Sequence, residues 1–171
     1  MININKKNIN IAVIGLGYVG LPLAIEFSKK YNVIGFDISL DRIKQLNKGV
    51  DKTNEISATV LNNSKNLTFT DNKRVLKKAN VFIVTVPTPI DSNKTPDLNP
   101  ILSSTRMIAS IIKRNDFVIY ESTVFPGCTE EVCAPEIEKI SKFKLNKDFF
   151  LGYSPERINP GDKTHTISSI V

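Results

Sequence analysis

Gly15, Gly17, Gly20 and Asp37 form the set of residues whose types and spacing most directly imply chemistry. The glycines give G-x-G-x-x-G within IAVIGLGYVGLPLAIEFSKKYNVIGFD, and the acid follows 22 residues after the first glycine. Each has a physical task. Gly15 permits a tight turn off a strand, and Gly17 lets the backbone approach a pyrophosphate where a side chain would collide. Gly20 allows a helix to lie close to the sheet. The start of that helix offers free N–H groups and a partial positive charge to phosphates. Asp37, at the tip of a second strand, is placed to accept hydrogen bonds from ribose hydroxyls. The whole pattern predicts a dinucleotide site.

Other reactive types offer less. Cys128 and Cys133 stand five apart, matching neither a C-x-x-C redox pair nor a zinc spacing, and His165 is the single histidine. No protein metal site is expected. Cys128 falls near a predicted helix start, where a thiol pKa can drop, but packing is the expected role of both cysteines.

Positioning the glycines and the acid requires alternating strands and helices. Apolar runs predict strands at 9–14, 32–36, 67–70, 81–86, 117–121 and 149–153. Helical spacing predicts helices at 18–30, 39–48, 55–63, 72–78, 98–113 and 128–141. In the first helix Val19, Leu23, Ala24 and Phe27 form a core-facing stripe, and Pro22 sits in the first turn, where its missing N–H costs little. Residues 88–100, TPIDSNKTPDLNP, form a loop after a strand, with Asp97 or Asn99 capping the next helix. The implied fold is α/β: a Rossmann-like, doubly wound, mostly parallel sheet with helices on both faces. Ligands of such sheets bind at the carboxyl ends of the strands.

A chain of 171 residues, 41% hydrophobic and 23% charged, fits one ordinary globular domain. Its longest apolar runs fall well short of a membrane span, and MININKKNIN lacks the features of a signal peptide. A cytoplasmic location without membrane insertion is expected. The net charge of +6 is spread over scattered lysines without arginine–aromatic interleaving, so nucleic acid is not an expected partner. The last stretch, SPERINPGDKTHTISSIV, lacks periodicity and reads as a sequence cut short.

Three further segments follow GLGYVG in order: VTVPTPID at 84–91, ESTVFPGCTE at 121–130 and GYSPERINPGD at 152–162. Together they resemble the UDP-glucose/GDP-mannose dehydrogenase family, whose members oxidise a nucleotide-sugar C6 alcohol to a carboxylate with NAD. The wording is most similar to the branch acting on UDP-N-acetylglucosamine or -galactosamine in capsule and O-antigen synthesis. The resemblance implies that Gly15, Leu16, Gly17, Tyr18, Val19 and Gly20 hold the pyrophosphate and that Asp37 binds the adenosine ribose. A carboxylate there repels a 2′-phosphate, so the cofactor expected is NAD rather than NADP. The resemblance also implies that Arg42 lies near the adenosine and Thr88 beside the nicotinamide-side ribose. Ser122 and Thr123 contact the cofactor, Thr123 positions a water near the reacting carbon with Ser122 assisting by hydrogen bonding, and Glu156 activates that water to release the acid from a thioester. Glu156, Arg157, Ile158 and Asn159 lie against the sugar nucleotide, where Arg157 meets a phosphate or carboxylate.

UDP-glucose members carry a second acid where this chain has Pro160, which favours the acetamido-sugar branch. The family's catalytic cysteine, lysine and asparagine belong to domains beyond residue 171, which also supply the dimer interface. The chain is therefore expected to be the N-terminal NAD-binding domain, residues 1–171, of a longer homodimeric or larger enzyme, inactive alone. Two other protein classes share part of this pattern. A short-chain nucleotide-sugar epimerase needs Tyr-x-x-x-Lys, but Tyr18, Tyr31, Tyr120 and Tyr153 precede Pro22, Gly35, Val124 and Arg157 at that spacing. A non-catalytic module that binds NAD or nucleic acid is the other, and phosphate-driven nucleic-acid affinity would be strongly salt-dependent.

Overall fold

In the strands, residue parity decides which face of the sheet each side chain serves. A computed structural model describes residues 9–90 and 96–155. Odd positions Ile11, Val13, Val33 and Ile83 pack on one face, and even positions Ala12, Ile14, Ile34, Phe36, Phe82 and Val84 on the other. Both sets are buried, as expected of strands covered on both sides.

The strands are β1 (Asn10–Ile14), β2 (Asn32–Phe36), β3 (Leu67–Thr70), β4 (Val81–Val84), β5 (Asp116–Tyr120) and β6 (Phe149–Tyr153). They form one sheet in the order β3-β2-β1-β4-β5-β6, every pair parallel. That is the doubly wound order, with the topological switch between β1 and β4. Helices α1 (Gly20–Ser28), α2 (Leu40–Asn47) and α3 (Ala58–Asn63) cover the odd-residue face through Leu21, Ile25, Ile43, Leu46 and Leu61. Helices α4 (Asn99–Ala109) and α5 (Ala134–Ser141) cover the other through Ile101, Ile108 and Ile137. On that side Tyr120 is fully buried, its hydroxyl 2.8 Å from the Thr105 hydroxyl.

Every expected strand is present within two residues of its expected bounds, whereas five helices differ by two residues or more, among them α4, which ends at Ala109 rather than residue 113. The first begins at Gly20 rather than residue 18, because residues 17–19 form the turn that leads into it. The third begins at Ala58 rather than 55, because the Glu55 and Ile56 N–H groups donate to the Asp51 carboxylate at 3.0 and 2.9 Å. Ser57 then caps the helix through Val60 N–H. The stretch at 72–78 is only a short 3₁₀ turn, Val75–Lys78, since Asn72 accepts from Arg74 N–H and sets up a local turn instead. The expected helix at 128–141 is divided. A π turn, Cys128–Cys133, precedes α5, and Pro135 in the first turn of α5 has no N–H to continue an α ladder from below.

Candidate functional site

The carboxyl ends of the strands define the site. Ile14 is in register with Phe36 and Val84, Val84 with Tyr120, and Tyr120 with Tyr153. The next residues along are therefore Asp37, Gly15, Thr85, Glu121 and Ser154, side by side along one edge. At about 4.8 Å per strand this row is roughly 19 Å long, a crevice suited to an extended ligand.

At β1 the chain turns sharply. Gly15 has φ +97°, and its N–H donates to the Phe36 carbonyl at 2.8 Å. A side chain there would be strained on backbone grounds alone. A Cβ on Gly20 would fall 1.8 Å from the Gly15 carbonyl oxygen and 2.4 Å from Thr85 Oγ1, so the helix start sits directly on the turn. A Cβ on Gly17 would meet nothing within 4 Å. The space above Gly17 is thus open to a ligand. Among the described residues, none accepts from the N–H groups of Gly17, Tyr18, Val19 or Gly20. Helix α1 also has no acidic residue in its first turn. Open amides with an unopposed helix field attract an anion.

Sequence reading missed Thr85, whose hydroxyl donates to the Gly15 carbonyl at 2.8 Å, with the Ile14 carbonyl at 3.1 Å. It ties the end of β4 to the glycine turn. A threonine inside VTVPTPID gives a weak signal alone, because strand threonines are common.

Asp37 faces the turn as expected. Its Oδ2 accepts from Leu16 N–H and its Oδ1 from Ser39 N–H, both at 2.9 Å. Each oxygen keeps further acceptor capacity. Arg42 is engaged more fully than its sequence position implied. Its Nε donates to the Leu16 carbonyl at 2.8 Å and its Nη1 to Asp51 Oδ1 at 2.7 Å. Its Nη2 is buried without a partner among the described residues. Asp51 was not foreseen. It also accepts from the Thr53 N–H and hydroxyl.

Along the β4–β6 side, the Thr88 hydroxyl is buried and has no hydrogen-bond partner among the described residues. The Ser122 hydroxyl donates to the Val86 carbonyl at 2.8 Å, so it braces the two loops against each other. Thr123 is exposed at the end of β5. Ser154 extends the β5–β6 pairing, its N–H donating to the Tyr120 carbonyl and its hydroxyl to Glu121 Oε1, each at 3.0 Å. The expected substrate residues Glu156, Arg157, Ile158 and Asn159 lie outside the described residues.

Cys128 and Cys133 are fully buried in the core beside Tyr120. Burial, reinforced by the neighbouring Cys133 thiol, pushes Cys128 up to about 11. A nucleophile needs the opposite shift, so the geometry supports packing. Among the described residues, no group of three or more His, Cys, Asp or Glu could hold a metal ion. No described helix is long and apolar enough to cross a membrane.

Parallel order, an open glycine turn and an acid beside it together define a dinucleotide-binding domain of the Rossmann type. The model of the UDP-glucose/GDP-mannose dehydrogenase family, NAD binding domain, matches residues 9–170, and the chain belongs to that family. Its cofactor is NAD. It is 57% identical over 164 residues to the UDP-N-acetyl-D-glucosamine 6-dehydrogenase of Pseudomonas aeruginosa, covering 96% of this chain and 39% of that protein. With the UDP-N-acetyl-D-glucosamine 6-dehydrogenase of Salmonella typhi it shares 49% identity, over 95% of this chain and 38% of the relative. Among solved structures, the UDP-D-ManNAc dehydrogenase of Pyrococcus horikoshii superposes with a TM-score of 0.85 at 37% identity, covering 95% of this chain and 39% of that one. The chain thus spans about two fifths of the length of these relatives.

Proposed function

We propose that this chain is the N-terminal, NAD-binding domain of a UDP-N-acetylhexosamine 6-dehydrogenase. The intact protein would oxidise the sugar C6 alcohol to the uronic acid. The observation that carries the reading is the 57% identity to the P. aeruginosa enzyme, spread over 96% of the chain and so including the whole strand-end row.

In this reading the Gly17, Tyr18 and Val19 amides hold the pyrophosphate, and Asp37 holds the adenosine ribose. The Thr88 hydroxyl, without a partner among the described residues, meets the ribose on the nicotinamide side. NAD, when bound, supplies the hydride acceptor. Thr123, exposed at the end of β5, orients a water toward the reacting carbon. Glu156 takes the proton of that water, and Arg157, Ile158 and Asn159 lie along the sugar nucleotide. Ser122 holds the loops after β4 and β5 together. Orientation is the domain's main contribution. A cytoplasmic enzyme of capsule or O-antigen synthesis, a homodimer or larger, belongs to the same proposal.

Assaying NAD reduction by the intact protein against UDP-GlcNAc, UDP-GalNAc, UDP-ManNAc and UDP-glucose tests it. Preferential turnover of UDP-GlcNAc or UDP-GalNAc is expected. A preference for UDP-glucose would overturn the substrate assignment. UDP-ManNAc is the second reading, favoured by the Pyrococcus horikoshii relative of that activity, 41% identical over 88% of this chain.

A further inference from the structure

We infer that Asp51 is a positioning residue for the dinucleotide, acting through Arg42 to fix the peptide plane between Leu16 and Gly17. The inference rests on the NAD-binding reading of the glycine turn. Asp51 is remote from that turn in sequence and lies in the segment after α2, yet a continuous chain of hydrogen bonds connects them. Asp51 Oδ1 takes Arg42 Nη1 at 2.7 Å, and Arg42 Nε takes the Leu16 carbonyl at 2.8 Å. The Leu16 N–H in turn takes Asp37 Oδ2 at 2.9 Å. Leu16 is therefore gripped from both sides, its N–H by the ribose acid and its C=O by the guanidinium.

The consequence follows from peptide geometry. In a planar trans peptide the C=O and the following N–H point in opposite directions. Drawing the Leu16 carbonyl onto Arg42 turns the Gly17 N–H away from Arg42, and that N–H has no acceptor among the described residues. Gly17 is also where a Cβ would meet nothing. The guanidinium thus fixes the direction of a free amide at the open point of the turn. Without such a hold, a glycine-flanked peptide is free to rotate.

Asp51 is built for the task. It is 8% exposed and the Arg42 side chain 11%, so their pairing is shielded from solvent and salt. Four further donors, from Thr53, Glu55 and Ile56, lock the carboxylate in place. Burial by itself raises the Asp51 pKa, but the bonds from Thr53, Ile56 and Arg42 together outweigh it and leave it below the ordinary range, so the group stays charged. The pairing also commits Arg42 to the turn. A free arginine at this place would suit a 2′-phosphate, so Asp51 and Asp37 act in the same direction on cofactor choice.

The test is NADH titration by fluorescence on the chain carrying Asp51→Asn, Arg42→Met or both, with amide NMR spectra of each without nucleotide. Asp51→Asn is expected to weaken NADH about tenfold, the scale of a charge-assisted hydrogen bond. It should also shift the Leu16 and Gly17 amide resonances. In the Arg42→Met background the same change should add less than about twofold, because its route to the turn is gone. Arg42→Met leaves the four other donors to Asp51 in place and keeps the test available should Asp51→Asn not fold. Unaltered NADH affinity and amide resonances in folded Asp51→Asn or Arg42→Met would overturn the inference and leave the NAD reading standing. Equal, additive losses in the two backgrounds would overturn it as well. Failure of the unsubstituted chain to bind NADH would remove the NAD reading and this inference with it.

Discussion

The loops at the ends of β1 and β2 are closed on themselves, while those after β4 and β5 leave polar groups open. On the first side the polar side chains are held by each other: Asp37 by Leu16 and Ser39 amides, Arg42 by Leu16 and Asp51, and Asp51 by its own loop. What is left open is a set of backbone amides around Gly17. On the second side the open groups are hydroxyls, Thr88 buried without a partner among the described residues and Thr123 exposed. A preorganised seat suits a ligand that is bound the same way throughout a reaction. Uncommitted hydroxyls suit groups that change during it. Under the proposed function, the β1–β2 side is a finished seat for the adenosine half and the other side half of a reaction site.

The sharpest way to break this comparison is at the glycine turn, where packing and binding are separable. Gly20→Ala is expected to have the largest effect. Its methyl would fall 1.8 Å from a backbone carbonyl that cannot move without dismantling the turn. A loss of about 3 kcal/mol of stability, read by urea unfolding, is expected, together with loss of NADH binding. Gly17→Ala should leave stability within about 1 kcal/mol, since its methyl enters free space, yet weaken NADH tenfold or more (about 1.4 kcal/mol) by filling the space the pyrophosphate needs. Full NADH affinity in folded Gly17→Ala would remove the phosphates from that turn.

Asp37→Ala comes next in size, with NADH binding weakened by about 1–3 kcal/mol, the range for a hydrogen-bonded charge. Unchanged affinity by titration would take Asp37 off the ribose. Thr88→Val should act with opposite signs on the two properties. The buried hydroxyl has no partner among the described residues, so an isosteric methyl removes a desolvation penalty and stabilises the free protein by about 1 kcal/mol. The same change should weaken nucleotide binding. A destabilised Thr88→Val would mean the hydroxyl is engaged within the protein and would blur the contrast between the two halves.

Much of this was legible in the sequence, unevenly. The strands follow from their apolar runs, most plainly β1, β2 and β4, because a strand buried on both faces has little else it can be. The turn at Gly15 and the close approach at Gly20 were legible because each is a backbone requirement that only glycine meets. Thr85 and Asp51 were not. Both act through contacts between segments far apart in the chain, Thr85 on Gly15 and Asp51 on Arg42. Neither residue type is unusual at its position. Helix starts were misplaced where a side chain captured the first amides, as Asp51 does at Glu55 and Ile56, a competition invisible to periodicity.

Cys128 tests the boundary between site and core, with the smallest effect near neutral pH. Nearness to a helix start argued for a low thiol pKa, but the turn before α5 is a π turn and the thiol is buried. Burial then dominates and lifts it from 9.0 to about 11. The sign of the pH effect follows from proton counting. Between those values the native state keeps a proton that the unfolded chain has released, so this group's contribution to stability falls as pH rises through that window. The slope from one thiol is at most about 1.4 kcal/mol per pH unit. Cys128→Ala should lessen the alkaline loss of stability measured by urea unfolding between pH 8 and 11, while leaving NADH affinity at pH 7 unchanged. Rapid modification of the native thiol by iodoacetamide at pH 8 would contradict the burial argument and return Cys128 to the reactive side of the comparison.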